Sequence, residues 1–247
     1  MEDKDLLFYN SQGYIPGPYE SEEEFFLRVQ ENSKDSASDF HDEWTALHLN
    51  EIFDFKPSSL NIFYSNKNLA PWQGAACWID ENRVSLQLRV GFKKGNFLWY
   101  SREEVIAHEA VHAARAAFHE EENEEFFAYL TSSKKWRRVL GPIIKRPFEA
   151  WIVFISCFLG VFWEPGFFIT ALLIGYAFYR LFHQHLRLRR AAHFLMKKIQ
   201  DVKKVRALLL RLTDREIRTL ARSKWIEKDQ SLRWRLIELA YLNMNRS

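Results

Sequence analysis

The sequence predicts an α+β N-terminal domain, with a small mixed sheet and one prominent helix, followed by a hydrophobic helical hairpin and an all-α, basic C-terminal region. Short alternating apolar runs indicate the strands, a capped and alanine-rich run indicates the helix, and two uncharged stretches around a Pro-Gly turn indicate the hairpin. The composition divides the chain into four zones, which cover residues 1–40, 41–148, 149–182 and 183–247.

Charge differs sharply between the two halves of the chain. The 247 residues include 35 Lys+Arg and 32 Asp+Glu, a net charge of +3. Residues 1–130 hold 24 acidic and 11 basic residues, whereas residues 131–247 hold 8 acidic and 24 basic residues. A basic half suits an anionic surface, and because its bases lie beside a membrane-like segment we expect lipid headgroups rather than nucleic acid.

The cysteine content and the first residues restrict the protein class. Cys77 and Cys157 are the two cysteines of the chain, far apart, which argues against a disulfide-stapled secreted fold and against a cysteine-ligated structural zinc. The opening MEDKDLLFYN is acidic and lacks an apolar core, so no secretory signal peptide is predicted. With 47% hydrophobic residues the chain is too apolar for disorder. We therefore expect a folded protein whose N-terminus is cytoplasmic.

The first two zones predict helices followed by strands. The acidic lead, residues 1–40, is predicted as loop with one short helix at 22–31, and a second helix is predicted at 41–53. Strand-type runs follow, and residues 80–83 are predicted to join the last two as a hairpin. These runs are 60–64, 75–79 and 84–92.

A helix with a strong start signal follows the strands. Ser101 and Glu104 have the spacing of a capping box, and the alanine-rich run after them is predicted to stay helical to about Phe118. A polar turn comes next, and Asn123 is predicted to cap a second helix that ends near Ser133.

Residues 108–112 read His-Glu-Ala-Val-His, the HExxH motif, inside the first of these helices. Because positions i and i+4 share one helix face, His108 and His112 can direct ring nitrogens at one Zn²⁺. Glu109 lies beside them and can accept a proton from a metal-activated water. The motif therefore predicts a zinc site with Glu109 as general base; a polar helix face without a metal is the alternative.

The third zinc ligand must come from another segment, and a catalytic zinc also keeps one position open for water. His119 is interpreted as polar surface at the helix end. The second predicted helix carries two adjacent carboxylates, Glu124 and Glu125, of which only one should face the metal. On the residues alone, Glu125 and Glu124 are alternative candidates for this ligand.

This stretch resembles gluzincin-type zinc peptidases, in which HExxH is followed by a helix with an Asn-Glu or Glu-x-x-Ala pattern. Residues 123–124 match the first pattern and residues 125–128 the second. The resemblance covers 84–133 and implies a zincin-like catalytic domain at 41–148. It also implies one Zn²⁺ per chain, and the ligands would be His108, His112 and Glu125.

The same resemblance implies that the run 84–92 forms the sheet edge beside the cleft, where an extended peptide can add as a strand. Tyr129 lies one turn beyond the preferred third ligand and is either a hydrogen-bond donor to the reaction intermediate or a packing residue. Arg115 is a candidate supporting group, and His41 and His48 are interpreted as helix-surface residues.

The third zone, residues 149–182, has the composition of a membrane segment. Residues 150–163 and 167–179 are uncharged, and the Glu-Pro-Gly sequence between them predicts a turn. Each arm is slightly shorter than the ~20 residues that span a bilayer. Lys and Arg flank both ends but not the turn, so both ends are predicted to be cytoplasmic. The alternative is a buried hairpin in a soluble helical domain.

The fourth zone, residues 183–247, holds 17 Lys+Arg and 6 acidic residues. Thr213 and Glu216 form a second predicted capping box, which opens a helix to about Ser223. An amphipathic closing helix is predicted at 231–243. A basic helical region beside a membrane segment is typical of contact with anionic headgroups.

Together these features predict an integral membrane protein whose N- and C-terminal domains lie on the cytoplasmic side. The predicted function is that of a membrane-anchored zinc metallopeptidase, a hydrolase with a peptide or protein substrate. Two alternatives remain: a catalytically inactive membrane scaffold that keeps the zincin fold, and a non-proteolytic zinc hydrolase. The predicted partners are the substrate and a bilayer with anionic headgroups, and no nucleic acid is expected.

Overall fold

The computed structural model describes residues 1–34, 42–144 and 147–242, and within them the protein is a mixed α+β structure. Its strands are β1 (Ile62–Tyr64), β2 (Ala75–Asp80) and β3 (Arg83–Leu88). The helices before the apolar hairpin are α1 (Asp3–Ser11), α2 (Glu22–Lys34), α3 (Glu43–Phe53), α4 (Arg102–Ala114), α5 (Glu124–Leu130) and α6 (Lys135–Leu140). The remaining helices are α7 (Pro147–Phe162), α8 (Pro165–Ile199), α9 (Val202–Leu210), α10 (Asp214–Ala221) and α11 (Leu232–Ile237). Shorter turns of 3-10 or π type cover Val90–Lys94, Gly141–Ile143 and Glu238–Leu242.

β3 is the centre of the sheet, whose strand order is β1-β3-β2. It pairs parallel with β1 and antiparallel with β2, and Leu86 lies opposite a residue of each neighbour. The expectation that 84–92 forms a sheet edge is therefore wrong, because β3 has a hydrogen-bonded strand on both sides. The strand also ends at Leu88, since the chain then turns into a 3-10 helix that buries Phe92.

The N-terminal zone contains a helix that the sequence did not predict. α1 lacks a clear apolar face, and tertiary contacts stabilise it instead. Leu6 is fully buried in a cluster with Phe25 of α2 and Leu236 of α11. Asp3 adds an ion pair with Arg235 of α11, at 2.6 Å. The lead is therefore packed onto the end of the chain rather than being loop around one short helix.

The start of α4 differs in one respect from the predicted capping box. The Ser101 hydroxyl accepts the backbone N–H of Glu104 at 3.1 Å, as expected. The Glu104 carboxylate does not return to Ser101; it accepts from Arg137 at 3.2 Å and from the Ser133 backbone N–H at 3.0 Å. Arg137 is buried, and a buried charge without a counter-charge is strongly destabilising. The Glu104 carboxylate therefore pairs with Arg137 instead of closing the capping box.

One apolar core joins the α+β zone to the basic C-terminal zone. Its buried members come from both parts of the sequence and include Phe53 of α3, Val111 of α4, Leu208 of α9 and Ile217 of α10. The four compositional zones are therefore not four separate cores. The helix with the HExxH motif lies at the centre of the shared one.

The buried Arg115 side chain connects α4 to the C-terminal zone. Its guanidinium donates to the carbonyl oxygens of Leu210 and Leu212, between α9 and α10, and lies 4.1 Å from the centre of the Phe118 ring. To make these contacts the chain leaves the helix after Ala114. α4 is therefore shorter than the helix to Phe118 that the sequence predicted.

The predicted capping box of α10 is confirmed. The Thr213 hydroxyl accepts the Glu216 N–H at 3.2 Å, and the Glu216 carboxylate accepts the Thr213 N–H at 2.7 Å. The same carboxylate pairs with the buried Arg233 and accepts from the Trp234 ring N–H, at 2.9 and 2.8 Å. α11 ends at Ile237, before the end of the predicted helix, and the last predicted residue lies outside the described part of the chain.

α7 and α8 form the predicted hairpin, but its arms are unequal. α7 has 16 residues, whereas α8 continues for 35 residues beyond the turn, far past the predicted end at 179. The helices approach closely at Gly166, where a Cβ would lie 2.5 Å from the backbone nitrogen of Gly160. Farther along, the hydroxyls of Ser156 and Thr170 are 2.9 Å apart.

The hairpin presents its apolar side chains outward. α8 is long and apolar enough to cross a membrane. Its most apolar 18-residue stretch has a mean hydropathy of 1.4 and is only 17% buried, and α7 is a shorter apolar helix. Phe162 and Phe168 are 77% and 68% exposed. The described residues of this chain therefore leave most of these side chains uncovered, which differs from the alternative of a hairpin buried within the chain's own core.

Replacing Glu216 with Ala leaves the Arg233 guanidinium buried without its nearest counter-charge and breaks the capping box. We expect the free energy of unfolding to fall by about 3–5 kcal/mol, measured by urea denaturation in mild detergent. Glu227→Ala, at an exposed position of the same zone, should change it by less than about 0.5 kcal/mol. Equal effects of the two variants would show that the buried pair does not stabilise this zone.

Candidate metal centre

α4 and α5 pack against each other and bring the three predicted ligands into one cluster. His108 and His112 lie one turn apart on α4, with ring centroids 5.2 Å apart, and Glu125 faces them from α5. One carboxylate oxygen of Glu125 is 3.7 Å from His108 Nε2, and the other is 3.6 Å from His112 Nε2. The three candidate ligand atoms all lie within 4.8 Å of one another.

These spacings fit a tetrahedral metal site. Zn–N and Zn–O bonds of about 2.1 Å place two ligand atoms of a tetrahedron about 3.4 Å apart. Each histidine nitrogen lies only a few tenths of an ångström farther than this from its nearer Glu125 oxygen, and the oxygens differ. With one ligand atom from each residue the cluster spreads to at most 4.8 Å, so it would contract on binding zinc. Two imidazole nitrogens and one carboxylate also match the donors of catalytic zinc sites, which leave the fourth position to water.

Glu124 binds the opposite side of one of these rings. Its Oε1 lies 2.6 Å from Nδ1 of His112, the nitrogen that points away from the cluster. A carboxylate in this position fixes the tautomer and the orientation of a ligating imidazole and increases its basicity. Glu124 and Glu125 are alternatives in the sequence, but the structure gives the two carboxylates different partners. A ligating imidazole needs an acceptor on its second nitrogen, and this requirement could have predicted a role for both carboxylates.

The two histidines have opposite protonation behaviour. Burial, together with the charge of His112, lowers the pKa of His108 to about 3, although the Ala128 carbonyl accepts a hydrogen bond from the ring. Burial alone would also lower the pKa of His112. The hydrogen bond to Glu124 and the charges of nearby carboxylates outweigh it and raise this pKa to about 10. A metal ion must therefore displace a proton from His112.

Glu109 is buried beside the cluster, and a backbone group of the sheet holds its carboxylate. Burial raises its pKa to about 7; the charge of His112 opposes this shift, and the charges of Glu125 and Glu124 reinforce it. The backbone N–H of Cys77 on β2 donates a hydrogen bond to the Glu109 carboxylate. A carboxyl with a pKa near 7 can both accept and donate a proton at neutral pH.

A cavity of about 480 Å³ opens over the cluster. Its lining includes the motif residues and the stretch 74–77 at the start of β2, the strand at this edge of the sheet. The strand beside the cavity is thus β2, not the predicted run 84–92. The volume lies within the range of about 300–1,000 Å³ that is usual for ligand pockets.

Tyr129 also lines this cavity. Its ring meets the His108 ring edge to face, with centroids 4.7 Å apart. The ring packs against Gly141, where a Cβ would lie 2.2 Å from it, so a larger residue there would displace the tyrosine. Burial raises the pKa of Tyr129, which keeps its hydroxyl protonated as a donor. Tyr129 therefore packs against His108 and Gly141, and its hydroxyl remains available to a molecule in the cavity.

The other candidate residues lie outside the cluster. Arg115 faces the C-terminal zone, and His119 is exposed beyond the end of α4. His48 is not a simple surface residue, because it is half-buried and its Nε2 lies 2.7 Å from the Thr131 carbonyl oxygen at the end of α5. His41 lies outside the described residues.

Comparisons with protein-family models, with curated proteins and with solved structures return no match for this chain. The resemblance to gluzincin-type peptidases therefore stays a prediction. What bears on the function is the local geometry of α4, α5 and β2 and the chemistry of their side chains.

Glu124→Gln removes the charge that holds Nδ1 of His112 and keeps the size of the side chain. We expect zinc affinity to fall about 10–100-fold, measured by competition with a chromophoric chelator. Glu121→Gln, at an exposed position just before α5, is the matched control and should bind zinc as the wild type does. Equal affinities of all three proteins would contradict a supporting role for Glu124.

Zinc affinity should rise with pH. Below a pKa of about 10 the metal-free protein carries a proton on His112, and binding must release it. The apparent Kd should therefore fall as pH rises through the neutral range, by as much as about tenfold per unit. Calorimetric titration in buffers of different ionisation enthalpy counts the released protons. A smaller proton count in Glu124→Gln is expected, and a Kd independent of pH would contradict the displacement.

Proposed function

We propose that this protein is a membrane-anchored zinc metallopeptidase with a zincin-like catalytic region. The observation that carries the proposal is the cluster of His108, His112 and Glu125, whose ligand atoms lie within 4.8 Å of one another next to the Glu109 carboxylate. This is the side-chain set that metal-assisted hydrolysis needs: three ligands, an open position and a base.

A zinc ion held by the three ligands would act as a Lewis acid and lower the pKa of water. Glu109 would accept a proton from the attacking water and then donate it to the departing amine nitrogen. Its pKa of about 7 suits both steps, because a base that binds its proton weakly could not return it. The backbone N–H of Cys77 hydrogen-bonds the Glu109 carboxylate and so holds it beside the cavity.

The edge strand favours a peptide as the substrate. β2 is paired with β3 on one side, and its other side contributes residues 74–77 to the cavity. An extended chain can add there as a further strand, so that main-chain hydrogen bonds hold it across the metal centre. A non-proteolytic hydrolase has no need of a strand edge beside its metal.

The apolar hairpin supports membrane anchoring. α8 is long enough to cross a bilayer, and the exposed apolar side chains of α7 lie alongside it. The exposed bases Lys134 and Lys135 before the hairpin, and Arg189 and Arg190 after its apolar stretch, are available to anionic headgroups. By the distribution of these bases, both the catalytic region and the C-terminal helices would lie on the cytoplasmic side.

Glu109→Gln tests the catalytic proposal. The variant should keep one zinc per chain and lose about 10²–10⁴-fold of its activity, because the amide cannot accept the proton. The measurement is cleavage of a random-sequence peptide library by mass spectrometry, with zinc content from the same preparation.

His108→Ala is the companion variant, which should lose both the zinc and the activity. A wild-type protein that holds zinc but leaves the whole library intact would refute the peptidase and favour the scaffold or a non-proteolytic hydrolase. Cleavage that survives in Glu109→Gln would exclude this residue as the base.

A further inference from the structure

The wall of the metal-site cavity is attached to the base of the apolar hairpin. Arg180 of α8 forms a two-pronged ion pair with Glu149 at the start of α7, at 2.7 and 2.8 Å. The same guanidinium donates to the carbonyl oxygen of Ile143 at 2.9 Å. Ile143 lines the cavity, so one arginine fixes the cavity wall to both helices of the hairpin.

A second contact joins the opposite rim of the cavity to the hairpin. Trp72, which lines the cavity just before β2, meets Trp151 of α7 edge to face, with ring centroids 5.1 Å apart. Trp151 lies two residues after Glu149, which is the last charged residue before the uncharged stretch of α7. Two residues of helix correspond to a rise of only about 3 Å. The cavity rim therefore lies at the level where the hairpin leaves its polar surroundings.

The exposed residues around this rim have the composition of a membrane interface. Trp72 and Ile144, both on the cavity lining, are each 48% exposed. The short helix α6, which leads into the same wall, exposes Trp136 beside the exposed Lys135. Tryptophan together with basic residues is the combination that settles at the headgroup layer. The exposed rim is thus continuous with the apolar surface of the hairpin.

We infer that the cavity opens at the bilayer surface and receives the juxtamembrane segment of a polypeptide that is itself anchored in the membrane. This inference rests on the proposed peptidase function and names its substrate class. The segment enters over Trp72 and Ile144 and extends along residues 74–77 of β2 to the metal centre. A chain that leaves the bilayer next to the hairpin reaches the strand edge without crossing open solvent.

The strand edge selects a polypeptide over a lipid headgroup as the occupant. β2 has an edge that is not paired with β3, and this edge matches an extended chain; on the stretch along the cavity the Cys77 N–H already binds Glu109. An acyl chain has no partner for the backbone groups of this edge.

The test compares one random-sequence peptide library in two forms with the full-length protein in phosphatidylethanolamine–phosphatidylglycerol vesicles. In one form the library is free in solution. In the other it is fused to a transmembrane helix through Gly-Ser linkers of increasing length. The inference predicts cleavage of the anchored form at least about 100-fold faster at equal total concentration, with the shortest linkers best and a steady decline as the linker lengthens.

Variants at the rim locate the entrance. Trp72→Asp places a charge where the anchored segment enters and should lower the anchored-to-free ratio severalfold. Phe63→Asp is the matched control, because Phe63 is a similarly exposed aromatic residue, at 40%, on the far edge strand β1. It should keep the wild-type ratio.

The outcomes separate this inference from the function on which it rests. Equal cleavage of the free and anchored libraries would overturn the inference and leave the peptidase intact. An optimum at long linkers would also overturn it, because the entrance would then lie away from the bilayer. Cleavage of neither form would overturn both proposals.

Discussion

The packing of α5 against α4 is the contact on which the candidate metal centre depends. The HExxH helix supplies two candidate ligands by its own geometry, but the third candidate ligand and the carboxylate behind His112 both come from α5. α5 has only seven residues and is too short to be stable alone. Its position comes from tertiary contacts: Phe127 meets Phe53 of α3 edge to face, and Ala128 is fully buried.

The two ends of α5 are held by different parts of the protein. At its start, the Asn123 side chain donates to Asp214 of α10 at 2.7 Å. It does not cap its own helix, so the cap predicted from the sequence is wrong. At its end, the Thr131 carbonyl lies against His48 of α3. Because Asp214 belongs to the basic C-terminal zone, that zone takes part in placing the candidate ligand Glu125.

The sequence predicted the parts of this structure that depend on local signals. Residues close in sequence are enough to predict the helix caps, the strands and the pair of histidines at i and i+4. The caps are those at Ser101 and Thr213. Long-range contacts account for the differences. The first helix forms because Leu6 meets the end of the chain, and the Glu104 side chain turns to a buried arginine distant in sequence.

The candidate site likewise combines features that local sequence patterns predict with features that depend on long-range packing. Glu125 could be preferred because residues 125–128 match the Glu-x-x-Ala pattern of the family that the stretch resembles. The separate position of Glu124 on the back of His112 depends on how two helices meet, and no spacing rule contains that information. Likewise the order of the three strands follows from pairing between distant segments, so the sheet edge beside the site was assigned to the wrong strand.

The unbroken length of α8 gives the molecule a mechanical property. Thirty-five residues of one helix form a rod about 52 Å long, of which one end is apolar and the other lies in the C-terminal core. Near its middle, Gln184 donates to the Glu122 carbonyl at 3.2 Å, directly before α5. The rod therefore acts as a lever: a tilt of about 5° shifts one end by about 4.5 Å relative to the other. Were the apolar end of α8 held in a bilayer, as proposed, a change in bilayer thickness that tilts this helix would therefore also move the segment directly before α5.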